Sequence, residues 1–181
     1  LANPDDYASL AVLLSQSQMA GKKGAPRISM PELLSAVDRH RGDWALLTSG
    51  RRGAVPAALK MEGISGAKRE LFRLVEAAGN DNVFVELQQN LVQGDTNRNR
   101  RLINLAQRLG VPTVATNNVH YHAPERHRLQ DALVSIKHNR SLEETHKERR
   151  PNNQFYLKSS EEMAAMFSRC PESIKNTLLI A

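Results

Sequence analysis

Three groups of residues in this chain are of types that do chemistry. The first is a run of histidines, His120, His122 and His127, which follows an apolar segment and has Glu125 as its nearby carboxylate. A His-x-His pair leaving the end of a strand has a legitimate spacing for one transition-metal ion; the same residues in a loop also make ordinary polar surface. The second group is basic: Lys22-Lys23, Arg51-Arg52, Arg98/Arg100/Arg101 and Lys147/Arg149/Arg150. Such clusters attract phosphate backbones by releasing condensed counterions, and they equally decorate solvated helix faces. Aromatic residues are only 4% of the chain and none interleaves these clusters, which argues against a stacking platform for single strands. The third is the single cysteine, Cys170, which has no partner for an internal disulfide and suits a reducing cytoplasm. Between Arg169 and Pro171 it reads as a packed or surface residue, not as a reactive thiol.

The elements that must position these groups can be read from periodicity. A helix is expected over Asp5 to Ala20, with Leu10, Leu13, Leu14 and Met19 as its stripe, followed by a Gly/Lys loop over 21–27. Ser29, Pro31 and Glu32 are a capping box with proline in the first turn, opening a second helix whose core side is Leu33, Leu34 and Val37. Trp44 to Thr48 is a short apolar run between glycines and fits a buried strand; a helix from Gly66 to Ala78 follows, with Leu71, Leu74 and Val75 inward. The clearest unit is strand–helix–strand. Val83–Leu87 is rich in β-favouring residues. Asp95 and Thr96 cap a helix with Leu102, Leu105, Ala106 and Leu109 at helical spacing; Gly110 closes it, and Val111–Thr116 is the next strand. A parallel pair with a right-handed crossover is the expected geometry. Beyond it come a polar loop over 117–122, a helix from Pro124 to Lys137, a charged exposed loop over 138–153, a short strand over 154–157, and helices over 160–167 and 171–181.

Composition bounds the rest. With 181 residues, 40% hydrophobic and 24% charged, the chain is long enough for one domain with a real core, or for one and a small appendage. A net charge of +6 permits a polyanionic partner. No apolar run approaches the roughly 20 residues of a membrane span, and Leu1 to Asp6 lacks the basic and apolar regions of a signal peptide. A cytoplasmic protein without a membrane partner is the expectation. Three buried strands are too few to close a barrel, so the α/β pattern reads as part of a larger one.

Five blocks, in order, carry a family resemblance: Phe84-Val85-Glu86-Leu87-Gln88, Val114 to Tyr121, Leu129-Gln130-Asp131-Ala132-Leu133, Phe155 to Ser159, and Glu161-Glu162-Met163. They resemble the later part of the PHP (polymerase and histidinol phosphatase) domain of bacterial C-family DNA polymerases, the DNA polymerase III alpha subunits. The segments 126–137 and 149–152 are most similar to the DnaE-like branch, which includes error-prone members. The resemblance runs from about Tyr7 to Ala181. It implies a distorted seven-stranded (β/α) barrel with extra C-terminal helices, of which residues 1–181 are a partial PHP domain. The early barrel strands, with the family's opening His-x-His, and the polymerase palm and fingers would lie outside this sequence.

Intact family sites hold two or three zinc, manganese or magnesium ions at the C-terminal strand ends, where they activate water and brace a phosphoester. The resemblance matches three ligand positions here. Gly50, or Ser49 if the register slips by one, stands where relatives place Cys or His. Asn118 stands in place of the aspartate of an Asp-x-His motif, and His120 keeps its histidine. Neither Gly50 nor Ser49 is a good transition-metal ligand, and Asn118 brings no negative charge. Glu86, on a barrel strand, is either a group supporting a ligand or a structural hydrogen-bond acceptor. The resemblance thus implies a non-catalytic scaffold packed against the rest of a DNA-directed DNA polymerase and, in some relatives, a proofreading exonuclease subunit. Two alternatives stand beside it: a metal-dependent phosphoesterase or 3′–5′ exonuclease, and a nucleic-acid-binding module using Arg98, Arg100 and Arg101.

Overall fold

The computed structural model describes residues 4–181; Leu1 to Asn3, part of the segment read above for a leader, lie outside the described residues. Two compact units are present. The first comprises residues 4–85 with Leu105–Pro112 and Ile180, and the second comprises Glu86–Asn104, Thr113–Leu179 and Ala181.

The first unit opens with α1 (Pro4–Ala20) and α2 (Met30–Arg39). α2 starts where the sequence requires. The Ser29 hydroxyl accepts from Glu32 N–H, and Glu32 returns a bond from Ser29 N–H at 2.8 Å. β1 (Leu46–Leu47), α3 (Ala54–Met61), α4 (Gly63–Ala78), a single 3₁₀ turn (Asn80–Asn82) and the start of β2 (Val83–Gln88) complete it. The core is built from Val37, Val55, Leu59, Ala67, Leu71 and Ala78, all at most 2% exposed. α4 packs against both α2 and α3.

Three expectations need correcting here. The strand expected from Trp44 shrinks to Leu46–Leu47 because Trp44, though buried, stacks on His40 instead of entering the sheet. α3 is an element that sequence pattern does not predict: Gly53 and Pro56 mask its start, yet both flank or enter the first helical turn, where glycine and proline cost little. The apolar residues of α1 do not form a buried stripe. Leu14 is 56% and Met19 77% exposed, and the buried residue of this helix is Asp6.

In the second unit, β2 continues from Glu86, α5 (Asp95–Leu109) contributes its first ten residues, and β3 (Thr113–Thr116) follows. The three strands form one parallel sheet in the order β1-β2-β3, with Leu46 opposite Val83 and Leu47 opposite Phe84. Val83, Phe84, Val85 and Leu87 are all buried, as suits a central strand of a parallel sheet covered on both faces. The β2–α5–β3 crossover is the strand–helix–strand unit that the sequence predicts. β3 starts two residues later than expected: Pro112 has no N–H to give, but its carbonyl accepts Val85 N–H at 2.8 Å.

A 3₁₀ turn (Pro124–Arg126) leads into α6 (His127–His138), which Asn139 ends in the left-handed conformation at φ 50°. The charged stretch after it is turns, mostly exposed. The strand expected over 154–157 is reduced to one bridge, Tyr121 with Tyr156. α7 (Ser160–Met166) has a second complete capping box, Ser159 with Glu162. The final expected helix breaks at Asn176 into α8 (Glu172–Lys175) and α9 (Thr177–Ile180). Among the described residues no helix is long and apolar enough to cross a membrane.

Candidate functional site

The loop leaving β3 carries Asn118 and His120, and its path is fixed by hydrogen bonds to the segment before α7. Asn117 Nδ2 donates to Tyr156 O at 2.8 Å, His120 N–H to Phe155 O at 2.7 Å, and Leu157 N–H to Tyr121 O at 3.1 Å. The Tyr121 hydroxyl donates to Asn152 O at 3.1 Å and accepts Phe155 N–H at 3.3 Å. Polar groups are thus paired on both sides of the loop, and these bonds restrict the backbone at His120.

The His120 ring meets Phe155 edge-on, with centroids 6.0 Å apart and planes at 65°. Burial, and behind it the charge of Arg150, hold its pKa below the usual 6.5. Arg150 itself lies over the Phe155 ring at 5.3 Å. His120 is therefore a neutral imidazole at neutral pH, the form that ligates metal, but its neighbour is a cation. His122 is exposed, and His127 has its Nδ1 3.0 Å from Pro124 O. Among the described residues, His120 belongs to no group of three such ligands close enough to share an ion. Gly50 lies in the first unit, in the turn after β1, where its carbonyl accepts Gly53 N–H at 2.9 Å and Ser49 is left-handed at φ 65°.

Glu86 is a structural acceptor. Its Oε1 accepts from Thr116 Oγ1 and from Gln88 Nε2, the latter at 2.9 Å, tying β2 to β3. Among the arginines singled out by the sequence, Arg98 turns inward: it pairs with Asp95 at 2.7 Å and donates to Gln88 O at 2.9 Å. A phosphate would have to compete with both partners. Arg100 is exposed, with one bond to Asn97 Oδ1 at 3.0 Å, and Arg101 is half-buried. Arg149 pairs with Asp131 at 3.0 Å beside an open groove that includes His127, His146 and Asn152. Cys170 is 1% exposed, near Thr113 Oγ1 and Glu172 Oε1, and burial pushes its thiol pKa up, so it is packed and inert.

Sequence reasoning missed one group. Asp6, His40 and Asp43, in the first unit, place three ligand atoms within 4.8 Å of one another; among the described residues no other such group of three occurs. The His40-x-x-Asp43 spacing across the end of α2 was a signal in the sequence. That Asp6 joins it was not, since the approach of α1 is a tertiary event.

No protein-family model matches the chain. It is 38% identical to an error-prone DNA polymerase of Cutibacterium acnes over 100% of this chain, and 37% identical to one of Mycobacterium tuberculosis over 94%. It is also 36% identical, over 99% of this chain, to a DNA polymerase III subunit alpha of Treponema pallidum. The chain spans only 15–16% of the length of these three proteins. Along its whole length, then, the chain is homologous to one segment of the DnaE-type DNA polymerases, the error-prone enzymes and the DNA polymerase III alpha subunits alike.

Proposed function

We propose that the chain is the later part of a PHP barrel and serves a DnaE-type DNA polymerase as a non-catalytic scaffold. The observation that carries this reading is the donor set at the family's ligand positions. Gly50 has no side chain, Asn118 is neutral, and the remaining His120 sits under the charge of Arg150. Two or three divalent ions need several anionic ligands to offset their charge; this set supplies none, so it does not fit such a cluster. The parallel β1-β2-β3 order and the β2–α5–β3 crossover are consistent with a seven-stranded barrel whose other strands come from the rest of the polymerase. The remainder of that polymerase, in the cytoplasm, is the proposed partner, with a proofreading exonuclease and DNA as further contacts of the assembly. Any DNA synthesis belongs to the assembled enzyme.

Elemental analysis of the purified, tag-free chain tests this reading. Two or three tightly held zinc or manganese ions that disappear in His120→Ala would overturn it. Manganese-dependent release of nucleotides from a DNA 3′ end, abolished by the same change, would do so too.

A further inference from the structure

We infer that Asp6, His40 and Asp43 form a structural site for a single zinc-class divalent cation, separate from the ligand positions of the barrel. His40 stands at the C-cap of α2, its N–H directed to Val37 O and Asp38 O. Its ring is stacked face to face on Trp44, with centroids 4.5 Å apart and planes at 7°, so the direction of Nδ1 is set by packing. That nitrogen lies 3.8 Å from Asp6 Oδ1, whose side chain is 5% exposed. The distance is too long for a hydrogen bond. It falls between the ~3.4 Å of two tetrahedral ligands with ~2.1 Å bonds and the ~4.2 Å of two opposed ones.

Asp43 completes the group, all three ligand atoms lying within 4.8 Å of one another. A contraction of at most about 1.4 Å brings these atoms to the tetrahedral separation, and the exposed Asp43 side chain supplies most of it by rotamer change. The electrostatics favour a dication. Two carboxylates face one imidazole, and the C-terminal end of α2 adds its partial negative charge. Of the two arginines that flank His40, Arg41 is directed to Glu76 O at 3.1 Å and to Asp38, and Arg39 donates to Ser35 Oγ at 3.0 Å. One nitrogen and two oxygens suit zinc, with the fourth position left to water. The ion would clip α1, whose one buried residue is Asp6, to the turn after α2.

The test uses the whole chain, stripped of metal and then titrated with zinc, with cobalt(II) absorption as a spectroscopic report of the ligand field. One ion per chain is expected, with a rise in the thermal midpoint on zinc addition. Asp43→Asn, at an exposed position, should keep the fold and weaken binding at least ~10-fold, the lower bound for disturbing even a ligand's supporting group. His40→Gln should abolish the cobalt spectrum, and His120→Ala should leave it unchanged. Absence of zinc binding, or binding undiminished in Asp43→Asn, overturns the inference. Ions lost only in His120→Ala would instead overturn both this site and the scaffold reading, so the two failures are distinguishable.

Discussion

Asp95 is the residue whose loss should be felt most in the second unit. Its carboxylate is 1% exposed; Oδ2 accepts the N–H groups of Asn90 and Val92, both at 3.0 Å, and Oδ1 pairs with Arg98 at 2.7 Å. In Asp95→Asn one oxygen becomes an amide NH2. Whichever way that amide turns, it sets donors against donors: the two backbone N–H groups on one side or the guanidinium on the other. Hydrogen bonds to a charged acceptor contribute about 1.5–3 kcal/mol each. Breaking a buried ion pair costs about 3–5 kcal/mol. These terms overlap, so the expected loss is about 3–5 kcal/mol, a large part of the ~5–15 kcal/mol that holds a domain together. With a urea slope of about 2–3 kcal/mol per molar, the midpoint followed by far-ultraviolet circular dichroism should fall by roughly 1–2.5 M. Arg98→Ala should lose less, because Asp95 keeps both backbone donors, and the double mutant should show coupling above ~0.5 kcal/mol. Arg100→Ala, on the exposed face of the same helix, should change stability by less than about 0.5 kcal/mol. A loss below ~1 kcal/mol in Asp95→Asn would show that the carboxylate does not organise the start of α5, and the reasoning would fail.

Three further outcomes follow from the same geometry. In Gly53→Ala the new methyl would overlap Thr48 O and come within 2.8 Å of Ser49 Cβ, so a loss of about 1–3 kcal/mol is expected in a thermal melt. Ser159→Ala removes the hydroxyl that accepts Glu162 N–H at 3.2 Å and should cost about 1 kcal/mol in denaturant; an unchanged midpoint would mean that the cap does not hold α7. His120 has its folded-state pKa below 6.5, so the folded chain prefers the neutral ring. Its contribution is therefore fully present above 6.5 and is lost as pH falls through that value toward the lower folded-state pKa. Relative to His120→Gln, the native chain should lose stability on acidification, and a gain would reverse the sign of the argument.

The parts of the fold legible in the sequence are those where local pattern and tertiary environment agree. Val83, Phe84, Val85 and Leu87, and Leu102, Leu105 and Ala106, are buried as their spacing demands, because strand and helix periods leave little choice of face. Both capping boxes are local chemistry and stand where Ser29 and Ser159 put them. α3 was obscured because Gly53 and Pro56 signal a break when read alone, although at a helix start they are harmless. The apolar character of Trp44 suits a strand; its stacking on His40 is a contact that no pattern encodes.

The candidate site divides the same way. The character of Asn118 and Gly50 was plain from residue type alone. The Asp95-x-x-Arg98 spacing allows an ion pair, but only burial decides that Arg98 is committed to it. The assembly of Asp6 with His40 and Asp43 depends on where α1 comes to rest, and this lies beyond any local signal.

Both β2 and α5 contribute residues to each unit, and the first unit draws on Leu105–Pro112. On the ribosome this sets an order of events. When Val85 emerges, the first unit still lacks the strip that supplies Leu105, Ala106 and the Pro112 carbonyl. Translation of the intervening stretch takes roughly 1–5 s at about 5–20 residues per second. During that interval Val83, Phe84 and Val85 have only β1 as a strand neighbour, which leaves one edge of the nascent sheet open to a chaperone or to another chain.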